Sequence, residues 1–249
     1  MSAAQLIGAL LRLAGWFVVL ALVFVPLERI FARQRQPILR RRWRQDLGFF
    51  FLNGLLSPLL LLIPLSLLAA AVRAIGPVGF YQQVAALPLA ARLMLALVVG
   101  DIGAYWGHCW SHQHPWLWAI HSVHHSAEQL DWLVNSRAHP LDFVVTRSAG
   151  LVPVYLLGLA QPAAAAVDSV SFLYVLVGTL WSYGVHANLS WRFGRLEQIV
   201  ATPAFHHWHH ANDDARSLHR NYAAIFPWVD RLFGTLRLPK QRWPASYGL

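Results

Sequence analysis

The chain has 249 residues, of which 57% are hydrophobic and only 12% are Asp, Glu, Lys or Arg. Soluble domains use about a quarter of their residues as charged side chains, so this composition excludes a soluble globule, a disordered chain, collagen and a coiled coil, and indicates a membrane protein. The net charge of +9 would also suit a nucleic-acid-binding protein, but basic residues beside apolar segments are ordinary topology signals, so we expect no nucleic-acid partner.

Three segments are long and apolar enough to cross a membrane, which takes about 20 residues: residues 4–26, 47–72 and 88–107. Basic loops stay in the cytoplasm, and the loop between the first two segments is rich in arginine: Arg29, Arg33, Arg35, Arg40, Arg41, Arg42 and Arg44. The linker of residues 73–87 should therefore lie outside, and the third segment returns the chain to the cytoplasm. Residues 108–140 are too polar for lipid and should lie at the cytoplasmic face.

Two further apolar segments follow, residues 141–160 and 163–185, with Gln161–Pro162 predicting a tight turn between them. Arg147 interrupts the first of these, and a charge near the centre of a bilayer costs a few kcal/mol. The pair therefore either crosses fully or forms a shallow re-entrant hairpin. In both cases the tail from His186 onward returns to the cytoplasm.

Histidine is unusually frequent, with 13 copies against 11 acidic residues. Eight of them form three motifs, HxxxH, HxxHH and HxxHH, made of His108 and His112, then His121, His124 and His125, then His206, His209 and His210. Residues at i, i+3 and i+4 share one helix face, and imidazole is the commonest protein metal ligand. A single HxxxH pair could equally belong to an aromatic-rich interface. The repetition, however, exceeds the three or four ligands that one metal ion takes, so we predict two metal ions.

The chain lacks the residues that other metal sites require. A zinc protease would show HExxH or HxxEH, but none of the three glutamates, Glu28, Glu128 and Glu197, lies between paired histidines. The single cysteine, Cys109, excludes a cysteine-rich zinc site and an iron–sulfur cluster. Imidazole-rich coordination suits iron, and a pair of iron ions can reduce dioxygen.

Several runs, together covering about residues 101–235, resemble the fatty acid hydroxylase and sterol desaturase superfamily: DIGAYWGHCWSH, PWLWAIHSVHHS, RAHP, HANLSW, ATPAFHHWHH and WVDRLFGT. The resemblance implies that the eight motif histidines are metal ligands, and it adds His186 and His139. His139 also fits a turn before the next apolar segment. Where relatives usually carry a glutamate after this His-Pro pair, the chain has Asp142.

The resemblance implies an all-α integral membrane protein with four to five transmembrane or re-entrant helices and a cytoplasmic helical cap that carries a histidine-rich dimetal site. Residues 1–87 would form a membrane anchor and residues 88–249 the catalytic domain. The activity implied is an O2-dependent di-iron hydroxylation or desaturation of a C–H bond in a lipid, sterol or fatty-acyl substrate. Alternatives are a catalytically inactive metal-binding scaffold and a metal transporter, although a transporter would carry its histidines and acids along the middle of its spans.

The cofactors implied are two iron ions, which zinc can replace on overexpression, with O2 as co-substrate. The sequence has no nucleotide-binding glycine motif, haem motif or cysteine cluster, so electrons should come from a separate ferredoxin, cytochrome or reductase. The arginine-rich loop could attract such a donor if the donor is acidic. We expect the histidine site to face the cytoplasm, in a bacterial inner membrane.

Two acids are candidates for orienting a ligating imidazole through its free N–H, as carboxylates commonly do. Asp101 lies seven residues before His108, two helical turns back on the same face. It could instead pair with Arg147 or with the backbone. Asp142 is a similar candidate, whereas His207 lies off the face of the third motif and is expected to be a packing or solvated residue.

Overall fold

The computed structural model describes residues 2–160, 168–213, 219–240 and 242–249, apart from the side chains of residues 73 and 75. In these residues the chain is helical and forms no strand, which confirms the all-α prediction. Two short 3₁₀ helices, Trp132–Ser136 and Gly194–Gln198, accompany the α-helices: α1 (Ala3–Ile30), α2 (Trp43–Ile75), α3 (Val78–Ala85), α4 (Leu89–Gln113), α5 (Pro115–His125), α6 (Pro140–Leu156), α7 (Ser169–His186), α8 (Pro203–His209) and α9 (Pro227–Leu232).

Three of the described helices, α1, α2 and α4, are long and apolar enough to cross a membrane. They correspond to the three segments predicted first. Many of their large apolar side chains are exposed, among them Leu11 at 68% and Ile63 at 68%. Exposed apolar surface of this extent suits contact with lipid. Helix α4 runs beyond the predicted end of its span, so His108 and His112 lie on the same helix as the third span.

The second half of the chain has shorter helices. Helix α6 has 17 residues and α7 has 18, and neither is among the three candidate spans. The predicted turn at Gln161–Pro162 lies outside the described residues. The total of four to five spans and the cytoplasmic cap therefore stay predictions. The linker between α2 and α4, for which we predicted no element, contains the short helix α3.

Helices α4 and α6 pack closely because α4 presents glycines to α6. A Cβ at Gly103 would collide with the carbonyl oxygen of Ala149, and a Cβ at Gly107 would collide with the Ala149 Cβ. Small residues four apart commonly allow such approach between membrane helices. The contact holds α4 against the middle of α6, one residue before the first histidine of α4.

Four buried charges tie the arginine-rich loop to the segment after α5. Arg40 pairs with Asp46 and, through its Nε at 2.7 Å, with Asp131, while Arg137 pairs with the other oxygen of Asp46. All four residues are buried, and buried charges of this kind are tolerated only when they are paired. Arg40 was expected to act as a topology signal, but in the structure it also joins two parts of the fold.

Candidate metal centre

Four helices bring the histidines together. Helix α4 carries the first motif, α5 the second and α8 the third, while α7 ends at His186. Both α5 and α8 begin with proline at the first helical position, where its fixed φ and missing N–H suit a helix start. The Thr202 hydroxyl also caps α8 by accepting from the backbone N–H of Phe205 at 3.4 Å. The sequence therefore starts each short helix just before its histidines.

Nine histidines form two adjacent groups, and within each group the nearest ring nitrogens all lie within 4.8 Å of one another. The first histidine group consists of His108, His112, His121, His125 and His209. The second histidine group consists of His124, His186, His206 and His210. Both HxxHH motifs contribute to both groups, so the two groups must lie side by side. The rings of His125 and His210, one from each group, are 4.5 Å apart between centroids.

Hydrogen bonds fix the tautomers of five of these imidazoles. In each case Nδ1 lies 2.7–3.0 Å from an oxygen that can only accept a hydrogen bond. The pairs with a backbone carbonyl are His108 with Tyr222, His124 with Arg137, His186 with Ser182 and His209 with Arg220. The fifth pair is His121 with the carboxylate of Asp142. Nδ1 must therefore carry the proton, which leaves the lone pair on Nε2. These Nε2 atoms belong to the two groups and are available as ligands.

The separation of the Nε2 atoms indicates what lies between them. His124 and His186 approach to 3.1 Å between Nε2 atoms, and His108 and His121 approach to 3.2 Å. Since each of these four atoms carries a lone pair, the two members of a pair cannot hydrogen-bond to each other and should repel. Two nitrogens bound at right angles to one metal through bonds of about 2.1 Å would be about 3.0 Å apart. The spacing therefore fits shared cations.

Other ring nitrogens are buried without a hydrogen-bond partner among the described residues: Nε2 of His112, His125 and His209, and Nδ1 of His210. A buried polar atom left unpaired costs about 1–3 kcal/mol, which a bound metal ion would remove. Burial also lowers the pKa of His125 and His209 well below the ordinary value. Both imidazoles are therefore neutral at pH 7, the form that binds a metal.

The other residues singled out in the sequence lie outside the two histidine groups. His139 lies in neither group and instead caps α6, its Nδ1 accepting from the backbone N–H of Leu141 at 3.2 Å. His207 is buried between the Tyr247 hydroxyl and the Ala187 carbonyl, at 3.1 Å from each. Asp142 contacts His121, as described above. Asp101 contacts the backbone rather than a histidine.

Two buried carboxylates clamp the loop that orients His108. Asp101 accepts from the backbone N–H groups of residues 224–226 at 2.8–3.0 Å, and Asp230 accepts from those of residues 222–223 at 2.7 and 2.9 Å. The Tyr222 carbonyl, which accepts the hydrogen bond from His108 Nδ1, is held between these two carboxylates. Four of the five partners that orient histidines are backbone carbonyls, which every residue type carries, so the sequence has no pattern that would predict these roles.

A cavity of about 980 Å³ opens between the long helices and reaches the histidines. Its walls come mainly from α2, α4, α6 and α7, with apolar residues such as Leu61, Leu65 and Leu97 at one part and His108 and His186 at another. Ligand pockets commonly measure 300–1,000 Å³. The cavity was not predicted, because its shape depends on how separate helices pack.

A family model for fatty acid hydroxylases matches residues 93–235. Over 163 residues the chain is 32% identical to an ornithine lipid hydroxylase of Rhizobium tropici, covering 65% of this chain and 46% of that protein. It is 32% identical to an alkylglycerol monooxygenase of Danio rerio, covering 62% of this chain and 32% of that protein. It is 29% identical to a Δ7-sterol 5(6)-desaturase of Gibberella zeae, covering 61% of this chain and 43% of that protein. The chain thus spans less than half of each of these relatives. No solved structure matches it.

Proposed function

Because the chain belongs to the fatty acid hydroxylase family, whose model matches more than half of its residues, we propose that it is a membrane-bound, O2-dependent di-iron oxidoreductase that hydroxylates or desaturates a C–H bond of a lipid. The observation that carries the proposal is the meeting of two histidine groups with a lipid-sized cavity. Relatives named as a lipid hydroxylase, a monooxygenase and a sterol desaturase support the reaction class.

Each histidine group would hold one iron ion. The first histidine group offers five ligands, one more than a tetrahedral zinc site uses. This count favours a metal that accepts five or six ligands, as iron does. Bound there, the iron pair would supply O2 reduction and removal of a hydrogen atom from an unactivated C–H bond.

The residues of the chain would orient the ligands and the substrate. The carbonyls and Asp142 hold the Nδ1 protons, so each Nε2 stays directed at its metal. An apolar chain in the cavity would place one carbon beside the histidines that border it, among them His121 and His124. The apolar walls would also keep bulk water from the reacting carbon.

The electron donor and the orientation in the membrane belong to the same proposal. We infer that a separate ferredoxin, cytochrome or reductase supplies the electrons and that the histidine side faces the cytoplasm of a bacterial inner membrane. The supporting observation is that the loop between α1 and α2 exposes Arg35, Arg41 and Arg42, and that Arg44 is exposed in the first turn of α2. These charges would keep the loop in the cytoplasm and attract an acidic donor.

Comparison of lipid extracts tests the function. Cells that express the chain should contain an oxidised lipid, detected by mass spectrometry, that requires O2 and is absent when His124→Ala is expressed at a matched level. A product found equally with both proteins would contradict the proposal. Metal-loaded protein that causes no lipid change would indicate the inactive scaffold instead.

A further inference from the structure

The cavity is bordered by a cationic side chain. Arg147 is the only Lys or Arg among the described residues that line it. It lies on α6 five residues after Asp142, about 7.5 Å further along the helix axis. Its surface is exposed even though the residue lies deep among the helices, because it faces the cavity. The charge therefore lies between the histidines and the apolar part of the cavity.

Arg147 has no anionic partner among the described residues. None of the described ion pairs or hydrogen bonds includes its guanidinium, and its closest described interaction is with the Phe143 ring, whose centroid is 5.3 Å from Cζ. The two carboxylates that line the cavity are engaged elsewhere. Asp142 is bonded to His121, and Asp101 accepts from three backbone N–H groups.

A lipid that fills the cavity displaces the water around Arg147. Removing an ion from water costs several kcal/mol unless a counter-charge replaces the lost hydration. The walls around Arg147 offer aromatic and hydroxyl groups, with Tyr174 and Tyr183 nearby, and no carboxylate takes that role among the described residues. Guanidinium is always charged, and its planar set of donors matches carboxylate or phosphate with two parallel hydrogen bonds.

We propose that Arg147 is a substrate-binding residue that pairs with an anionic group, a carboxylate or phosphate, on the lipid that enters the cavity. The anionic group lies at the level of Arg147, and the apolar part of the lipid lies along the leucines of α2 and α4. The proposal rests on the proposed function for the identity of the cavity as the substrate site. It adds that the substrate is an anionic amphiphile rather than a neutral one.

A displacement experiment tests the proposal without turnover. 9,10-Dibromostearyl alcohol is a neutral chain whose bromines quench tryptophan fluorescence, and Trp16 lines the cavity. The full-length protein in a neutral detergent is loaded with this probe, and stearate, stearyl phosphate and stearyl alcohol are titrated as competitors. Hydrogen bonds to a charged group contribute about 1.5–3 kcal/mol, so stearate or stearyl phosphate should displace the probe at roughly 10- to 100-fold lower concentration than stearyl alcohol. The stronger of the two anions identifies the headgroup chemistry.

Arg147→Gln should bind the neutral probe as the wild type does and should lose the preference for the anionic competitors. Arg12→Gln is the matched control, since Arg12 lies on α1 outside the cavity lining and its loss should leave the preference intact. The displacing concentration of each competitor is compared between variants, so its partition into the detergent is the same on both sides of the comparison. Equal displacement by all three competitors in the wild type, or a preference that persists in Arg147→Gln, overturns the proposal while leaving the proposed function standing. Failure of both this probe and 9,10-dibromostearate to bind the wild type overturns the cavity as the substrate site, on which both proposals depend.

Discussion

The histidine centre and the cavity beside it are built in opposite ways. In the centre, polar atoms are buried and five of the nine rings are held by a hydrogen bond to a backbone carbonyl or a carboxylate. In the cavity, most walls are apolar and open space remains between the helices. The first region is set by short motifs and their partners, and the second by the packing of distant helices. Metal binding and substrate choice should therefore be separable by mutation.

The largest effects are expected in the centre. His124→Ala removes a ligand from the second histidine group, and His209→Ala removes one from the first. Removing one of the imidazoles that hold an ion weakens its binding, so wild-type protein should carry about two metal ions per chain, and each variant should carry clearly less metal. Lipid oxidation should be abolished in both. Elemental analysis of protein purified without a His tag measures the change.

His114→Ala is the matched control for this prediction, because His114 is exposed and belongs to neither group. It should retain both metal ions and the activity. Two metal ions and full activity in both His124→Ala and His209→Ala would show that the groups do not act as two sites.

The buried ion network below the centre should matter for stability. Asp46→Asn leaves Arg40 and Arg137 without the carboxylate they share, and breaking a buried pair costs about 3–5 kcal/mol. Arg41→Gln breaks the exposed pair with Glu128, which is worth less than about 1 kcal/mol. Thermal unfolding in one detergent should separate the two variants clearly. If Asp46→Asn unfolded at the same temperature as the wild type, the buried ion network would not stabilise the fold.

Turnover should depend on the volume of the side chain at position 178. Gly178 lies on α7, lines the cavity, and has no atom within 4 Å of the place where a Cβ would be. Gly178→Phe should fill the cavity, displace the reacting carbon and lower turnover by about 100-fold, with metal content unchanged. Gly178→Ala should keep activity and gain up to about 1 kcal/mol of helix stability. Normal turnover in Gly178→Phe would mean that the lipid does not use this cavity.

The contrast between the regions also explains what the sequence could predict. The helical spacing of the three motifs places their histidines on shared faces, so all eight could be grouped in advance. The separation into two groups could not, because it depends on the angles between α4, α5 and α8. Asp101 was a candidate partner for His108 on spacing alone. In the fold its carboxylate faces the backbone of residues 224–226, which the chain brings near only through tertiary packing.

The smallest effect concerns His207, the motif neighbour that lies outside both groups. Burial lowers its pKa to about 3, against 6.5 in the unfolded chain. Below pH 6.5 the unfolded chain takes up a proton that the folded protein cannot, so this residue should reduce the free energy of unfolding by about 1.4 kcal/mol per pH unit.

His207→Gln should be less stable than the wild type at pH 7.5 by about 1–2 kcal/mol, because it loses hydrogen bonds to Tyr247 and Ala187. The difference should narrow towards pH 5.5, since the variant lacks the titrating group. Unfolding temperatures of both metal-free proteins at the two pH values measure it, and a gap that widens in acid would show that His207 is charged in the folded state.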